Sequence, residues 1–164
     1  MSEKIKVYLE TTFFSYLTGR QTTDVVIAQR QAVTRKWWAD ERGKCDLLIS
    51  AFVLSEAERG DAEQARLRKE AMQGLAYLET ESVEIKRLAS VLMEGHAIPS
   101  SEVTDALHIA TAAFHKMDVL LTWNCKHMAN PYTLPKTVAI LGEAGYKCPL
   151  ITTPGRFMED MQND

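Results

Sequence analysis

Apolar and polar positions along the chain switch between a strand period and a helix period. Ile5, Val7 and Leu9 stand two apart, separated by Lys6 and Tyr8, which predicts a first strand ending at Glu10. Thr11 and Thr12 can cap a short helix through Leu17. A longer helix starts at Thr23 or Asp24 and runs to Trp38, with Val26, Ile27, Val33, Trp37 and Trp38 roughly on a helical period, and Gly43 ends it. Leu47, Leu48 and Ile49 form an unbroken apolar run, as in a strand covered on both faces, closed by Ser50. Residues 50–57 predict a short helix with Glu56 at its end. Asp61 with Gln64 resembles a capping box opening a helix to Leu78. Val83 and Ile85 predict a short third strand, and residues 88–93 a helix stopped by Gly95. Ser100 or Ser101 caps a central helix bearing Asp105 in front of the apolar run 106–110. Val119, Leu120 and Leu121 make a fourth buried strand that opens into Thr122-Trp123-Asn124. A helix over 138–144 ends at Gly145, and Leu150-Ile151 suggests a fifth strand before Pro154. Strands alternating with helices imply an α/β fold on a central parallel sheet of four to five strands. One domain over residues 1–158 is expected, with 159–164 as a frayed tail.

Composition narrows the function classes without choosing among them. The 164 residues suffice for one core, and 46% hydrophobic with 25% charged residues is ordinary for a folded domain. A formal net charge of -3 does not announce a nucleic-acid binder, so that role needs a local basic patch. Cys45, Cys125 and Cys148 are odd in number and widely spaced, which signals neither a disulfide framework nor a zinc site. Three thiols and a start that reads as a strand fit a reducing cytoplasm. No GxGxxG or P-loop pattern follows a strand.

The acids carry the chemical signal. Glu10 ends the first strand, Glu56 ends the helix after the second, Asp105 precedes the fourth, and Thr122 and Asn124 follow it. Right-handed crossovers bring such positions to one edge of a parallel sheet, where ligands of open α/β sheets bind. Carboxylates among apolar neighbours are costly unless compensated, and a divalent cation would compensate several at once. Oxygen ligands favour magnesium or manganese, either of which can activate water and stabilise charge at phosphorus.

Three stretches carry a family resemblance: LETTFFSYL, VLSEAERGD and DALHIATAAFHKMDVLLTWNCKHMAN. Together they resemble PIN-domain ribonucleases, in particular VapC-like toxins, over nearly the whole chain. The resemblance implies a three-layer α/β/α sandwich and a homodimer. It implies a hydrolase that cuts RNA with Mg²⁺ or Mn²⁺, acts as the toxin of a toxin–antitoxin pair, and has an antitoxin protein as partner. It maps the acids of the family onto Glu10, Glu56, Asp105 and Asn124, and the hydroxyl of the strand end onto Thr122. Two positions depart from the pattern: Glu10 stands where Asp is usual and Asn124 where a fourth acid is usual. Glutamate reaches about an ångström further. Asparagine removes a charge but keeps a carbonyl able to meet the ion or its water. A rival reading, a PIN-like module that binds RNA or protein with reduced catalysis, draws on both departures. An aspartyl-phosphate enzyme is disfavoured because Glu10-Thr11-Thr12 follows the first strand.

Other residues weigh less. His108, one turn after Asp105, could ligate a metal or steady Asp105, but a hydrogen-bonded core histidine is the commoner case. Arg59, Lys126 and His127 flank the acids and are the candidate phosphate contacts. Asp118 precedes its strand and reads as a turn residue. Trp37, Trp38 and Trp123 read as packing residues before base-stacking ones. The bases around 59–69 are interleaved with acids, as on a solvated helix face.

Overall fold

The computed structural model describes residues 3–162. In chain order the elements are β1 (Ile5–Leu9), α1 (Thr11–Leu17), α2 (Val25–Glu41), β2 (Cys45–Ser50), α3 (Ala51–Ala57), α4 (Ala62–Met72), β3 (Ala76–Leu78), α5 (Val83–Glu94), α6 (Val103–Phe114), β4 (Val119–Leu121), α7 (Leu134–Glu143), β5 (Leu150–Thr152) and α8 (Pro154–Gln162). The five strands are parallel in the order β3-β2-β1-β4-β5. The chain therefore begins in the middle of the sheet, grows outward through β2 and β3, then crosses to the other side of β1 for β4 and β5. That reversal opens a crevice at the carboxyl ends of the strands beside β1. Helices α1 and α8 both pack on α2, and α6 and α7 both pack on α5, giving the α/β/α sandwich expected from the sequence.

β1 is covered on both faces: Val7, Tyr8 and Leu9 are all fully buried. Tyr8, which looked like a polar position in the alternation, belongs to the core. Trp37 is also fully buried and packs edge-on against Phe13 and Phe157, at 5.4 and 5.7 Å between ring centroids. It is a packing residue, as its helical spacing implied.

Several expected boundaries move. The helix expected to reach Leu78 stops at Met72, because Gly74 takes a left-handed φ of 84° and turns the chain into β3. Residues 83–85, expected as the third strand, instead open α5, with the Ser82 hydroxyl accepting the Glu84 N–H at 3.2 Å. The real stripe there is Ile85, Leu88, Ala89 and Leu92, all buried at helical spacing. α6 starts after Glu102, not at Ser100 or Ser101, and has no side-chain cap. α7 starts at Leu134, four residues before the expected Val138, with Pro135 suited to a first helical turn. Residues 159–162, expected to fray, continue α8 to Gln162; 163–164 lie outside the described residues.

Two helices end on left-handed residues that are not glycine. His96 (φ 61°) follows α5 and Lys116 (φ 59°) follows α6, and both are exposed. A Cβ in that region costs about 1 kcal/mol, partly offset by the extra freedom glycine brings to the unfolded chain. Lys116→Gly and His96→Gly are each expected to stabilise the protein by roughly 0.5–1 kcal/mol, read as a higher urea midpoint. An unchanged or lower midpoint would contradict the strain.

Candidate metal centre

Glu10 sits where β1 becomes α1. The register sets Leu9 beside Leu121, and the Glu10 N–H reaches the Leu121 carbonyl at 3.1 Å, so Glu10 stands level with Thr122. Its side chain, only 3% exposed, caps α1 by accepting the Thr12 N–H at 2.8 Å. The other oxygen accepts the hydroxyls of Thr12 at 2.8 Å and Thr122 at 2.7 Å. Glu10, and not Thr11 or Thr12, is thus the cap. Three donors on one buried carboxylate supply what burial takes away in hydration.

Glu56 comes from the last turn of α3, which follows β2 directly. Its Oε1 accepts from the Thr11 hydroxyl at 2.7 Å and lies 2.6 Å from His108 Nε2. Burial alone would raise this carboxyl. The His108 hydrogen bond and charge, the Thr11 hydroxyl and the Arg59 charge outweigh burial and hold it below the usual carboxylate range.

Asp105 lies in the first turn of α6. Burial pushes its carboxyl up; the Asn124 hydrogen bond pulls it back, and the nearby Glu10 charge adds to the rise. The Asn124 Nδ2 donates to Asp105 Oδ2 at 3.0 Å. The Asn124 carbonyl oxygen, expected to face an ion, accepts the His127 N–H at 3.0 Å and so closes the turn after β4. Thr122 completes the strand end: fully buried, it donates to Glu10 and accepts the Asn124 N–H at 2.9 Å.

The fold therefore brings Glu10, Glu56, Thr122, Asp105 and Asn124 to one edge of the sheet. The tightest group is not the one the sequence picked. One ligand atom each from Glu10, Glu56 and His108 lie within 4.8 Å of one another, with Asp105 outside that trio. His108 is 1% exposed, and its Nδ1 lies 2.7 Å from the Tyr8 hydroxyl, which is itself 2.7 Å from Ser50 Oγ. Nothing in the sequence tied Tyr8 or Ser50 to the acids, although both stand on strands that end beside them.

The flanking bases are exposed at Arg59 and Lys126 and half-buried at His127, whose Nε2 lies 3.7 Å from Glu102. Asp118 is at the opposite end of β4, accepting the Lys6 N–H at 2.8 Å, a structural turn as expected. Trp123 is half-buried, donates from Nε1 to Thr34 at 2.8 Å, and carries the Arg30 guanidinium 5.1 Å over its ring. Arg66 pairs with Glu63 and Glu70, and Lys69 with Glu58, which makes that basic run a solvated helix face.

Carboxylate and hydroxyl oxygens dominate the cluster, with no thiolate among them, so the donor set fits a hard divalent cation. No protein-family model and no curated protein matches the chain. Solved structures do. VapC20 of Mycobacterium tuberculosis, a sarcin-ricin-loop-cleaving toxin, aligns with a TM-score of 0.54 at 14% identity, over 74% of this chain and 92% of that one. VapBC-1 of nontypeable Haemophilus influenzae gives 0.55 at 13% identity, over 92% of this chain and 99% of that one. The chain shares its fold with these two structures. At these identities the likeness is one of architecture, and it bears out the PIN-like sandwich read from the sequence. Among the described residues, no helix is long and apolar enough to cross a membrane.

Proposed function

We propose that this chain is a divalent-metal-dependent endoribonuclease that hydrolyses RNA phosphodiester bonds and serves as the toxin of a toxin–antitoxin pair. One observation carries the reading: Glu10 and Glu56, from separate parts of the chain, converge with His108 at the carboxyl edge of the sheet, and Asp105 stands near enough for the Glu10 charge to act on it. The three acids would hold Mg²⁺ or Mn²⁺, and the ion when bound supplies Lewis-acid stabilisation of charge at the reacting phosphate. The protein's own residues set the stage. Thr12 and Thr122 fix the Glu10 carboxylate, Thr11 and His108 fix Glu56, and the Asn124 amide fixes Asp105. The VapC-like fold supports RNA as substrate and an antitoxin protein as partner, and a homodimer in a cytoplasmic setting completes the proposal. Cleavage of the sarcin-ricin loop belongs to VapC20; for this chain the proposal is RNA as a class.

A second reading has its own support. Asn124 turns its amide nitrogen, not an oxygen, toward Asp105, and both Glu10 oxygens are already engaged. A module that binds RNA or protein with little catalysis would tolerate that arrangement. Incubating a mixed RNA with the protein separates the two. Cleavage that stops with EDTA and resumes with Mn²⁺ is the expected result. RNA left intact at saturating Mn²⁺, yet retarded in a gel, would transfer the assignment to the binding module.

Phosphate contact by Arg59 and Lys126 has a separate signature. Reversing both, Arg59→Glu with Lys126→Glu, is expected to weaken RNA binding and reduce the slope of log K against log salt by about 1–2. Fluorescence anisotropy at several salt concentrations measures it. Unchanged binding would remove the pair from the interface.

A further inference from the structure

His108 has the position of a ligand but the bonding of something else. We propose that His108 is a positioning residue: a buried chain of hydrogen bonds, Ser50–Tyr8–His108–Glu56, holds the Glu56 carboxylate in the site through the His108 Nε2–H. The proposal rests on the metal-site reading above, which supplies the task Glu56 is held for.

Each link restricts the next. Glu56 Oε1 offers only lone pairs as a carboxylate, and it already accepts the Thr11 hydroxyl at 2.7 Å. The 2.6 Å contact from His108 Nε2 therefore requires a proton on Nε2. In the neutral ring Nδ1 is then the acceptor, so the Tyr8 hydroxyl donates to it at 2.7 Å and Ser50 donates to Tyr8 at 2.7 Å. In the imidazolium the two hydroxyls reverse, but the Nε2–H still points at Glu56. Both ring nitrogens are thus committed whichever form is present. A metal could be taken by His108 only by displacing the Nε2 proton and the bond that holds Glu56. Tyr8, Ser50 and His108 are all essentially fully buried, so solvent cannot rotate the ring out of this arrangement. Partners of this kind behind a ligating carboxylate set its orientation, and their loss typically weakens metal binding tenfold or more.

The test has two arms. Long-range ¹⁵N–¹H spectra of the full chain are expected to show His108 protonated at Nε2, with or without Mg²⁺. Tyr8→Phe, which removes the partner of Nδ1 and leaves the ring held from the Glu56 side alone, is expected to weaken Mn²⁺ binding about tenfold by calorimetry, with far-UV circular dichroism unchanged. An unprotonated Nε2, or its loss of the proton on adding Mg²⁺, would overturn the proposal. So would Tyr8→Phe binding Mn²⁺ as tightly as the parent while Glu56→Gln does not. Parent and Glu56→Gln binding Mn²⁺ equally would instead refute the metal-site reading, and the spectra would still decide the polarity of the chain. Should Tyr8→Phe not fold, the parent spectra decide alone.

Discussion

Asp105→Asn is expected to abolish Mn²⁺-dependent RNA cleavage, by roughly 100-fold or more, while making the metal-free protein more stable. The two effects share one cause. Burial and the Glu10 charge oppose the ionised Asp105 side chain, and the Asn124 hydrogen bond recovers only part of that cost. Asparagine keeps an oxygen for the Asn124 amide and removes the charge, so it relieves the free site and deprives an ion of a ligand. Asp105 is only half-buried, so solvent screening keeps the gain in EDTA at pH 7 below about 1 kcal/mol. The sign follows from the raised carboxyl. The folded state binds the proton more tightly than the unfolded state, so the penalty is absent below the unfolded value of about 4 and complete above the higher folded value. The gain should therefore vanish near pH 3, grow as pH rises and level off. Glu56 is lowered and has the opposite sign. Glu56→Gln should destabilise at pH 7, with a deficit that shrinks as pH falls through the lowered folded value. Urea midpoints across pH measure both. Equal cleavage by parent and Asp105→Asn would show that any activity arises elsewhere.

Thr122→Ala should cost both stability and metal affinity, and Thr122→Ser should restore them. The hydroxyl is fully buried, gives its proton to Glu10 and receives the Asn124 N–H. Removing it withdraws a donor from a buried carboxylate and an acceptor from a backbone amide, which costs about 1–3 kcal/mol. Mn²⁺ binding should weaken about tenfold, because Glu10 then relies on Thr12 alone. Serine carries the same hydroxyl and loses only a methyl group. If alanine and serine behave alike, the hydroxyl does not organise Glu10.

β2 and β4 were readable in the sequence as unbroken apolar runs, and β1 from the alternation of Ile5, Val7 and Leu9. β2 ends on Ser50, β1 and β4 are followed at once by Glu10 and Thr122, and that change marked the edge where the acids gather. The segment from α4 to α5 was misread for the converse reason. β3 is a three-residue edge strand in which only Leu78 is buried and Tyr77 is 55% exposed, so it has no pattern of its own. Val83, 81% exposed, made a false alternation with Ile85, whose true partners lie three, four and seven residues on. Within the site, sequence order supplied the acids but not their hydrogen bonds. The direction of the Asn124 amide depends on the turn it closes with His127, and the role of His108 depends on Tyr8, 100 residues away. Neither contact is written in local spacing.

Placing the first strand at the centre of the sheet also bears on synthesis. β1 is synthesised long before its neighbour β4, which sets Leu9 beside Leu121. Until then Glu10 lacks Thr122, and Asp105 has no Asn124 to hold it. Such long-range pairing forms late because the chain must first close a large loop. The residues gathered at the sheet edge therefore come together only after β4 has been made and has paired with β1.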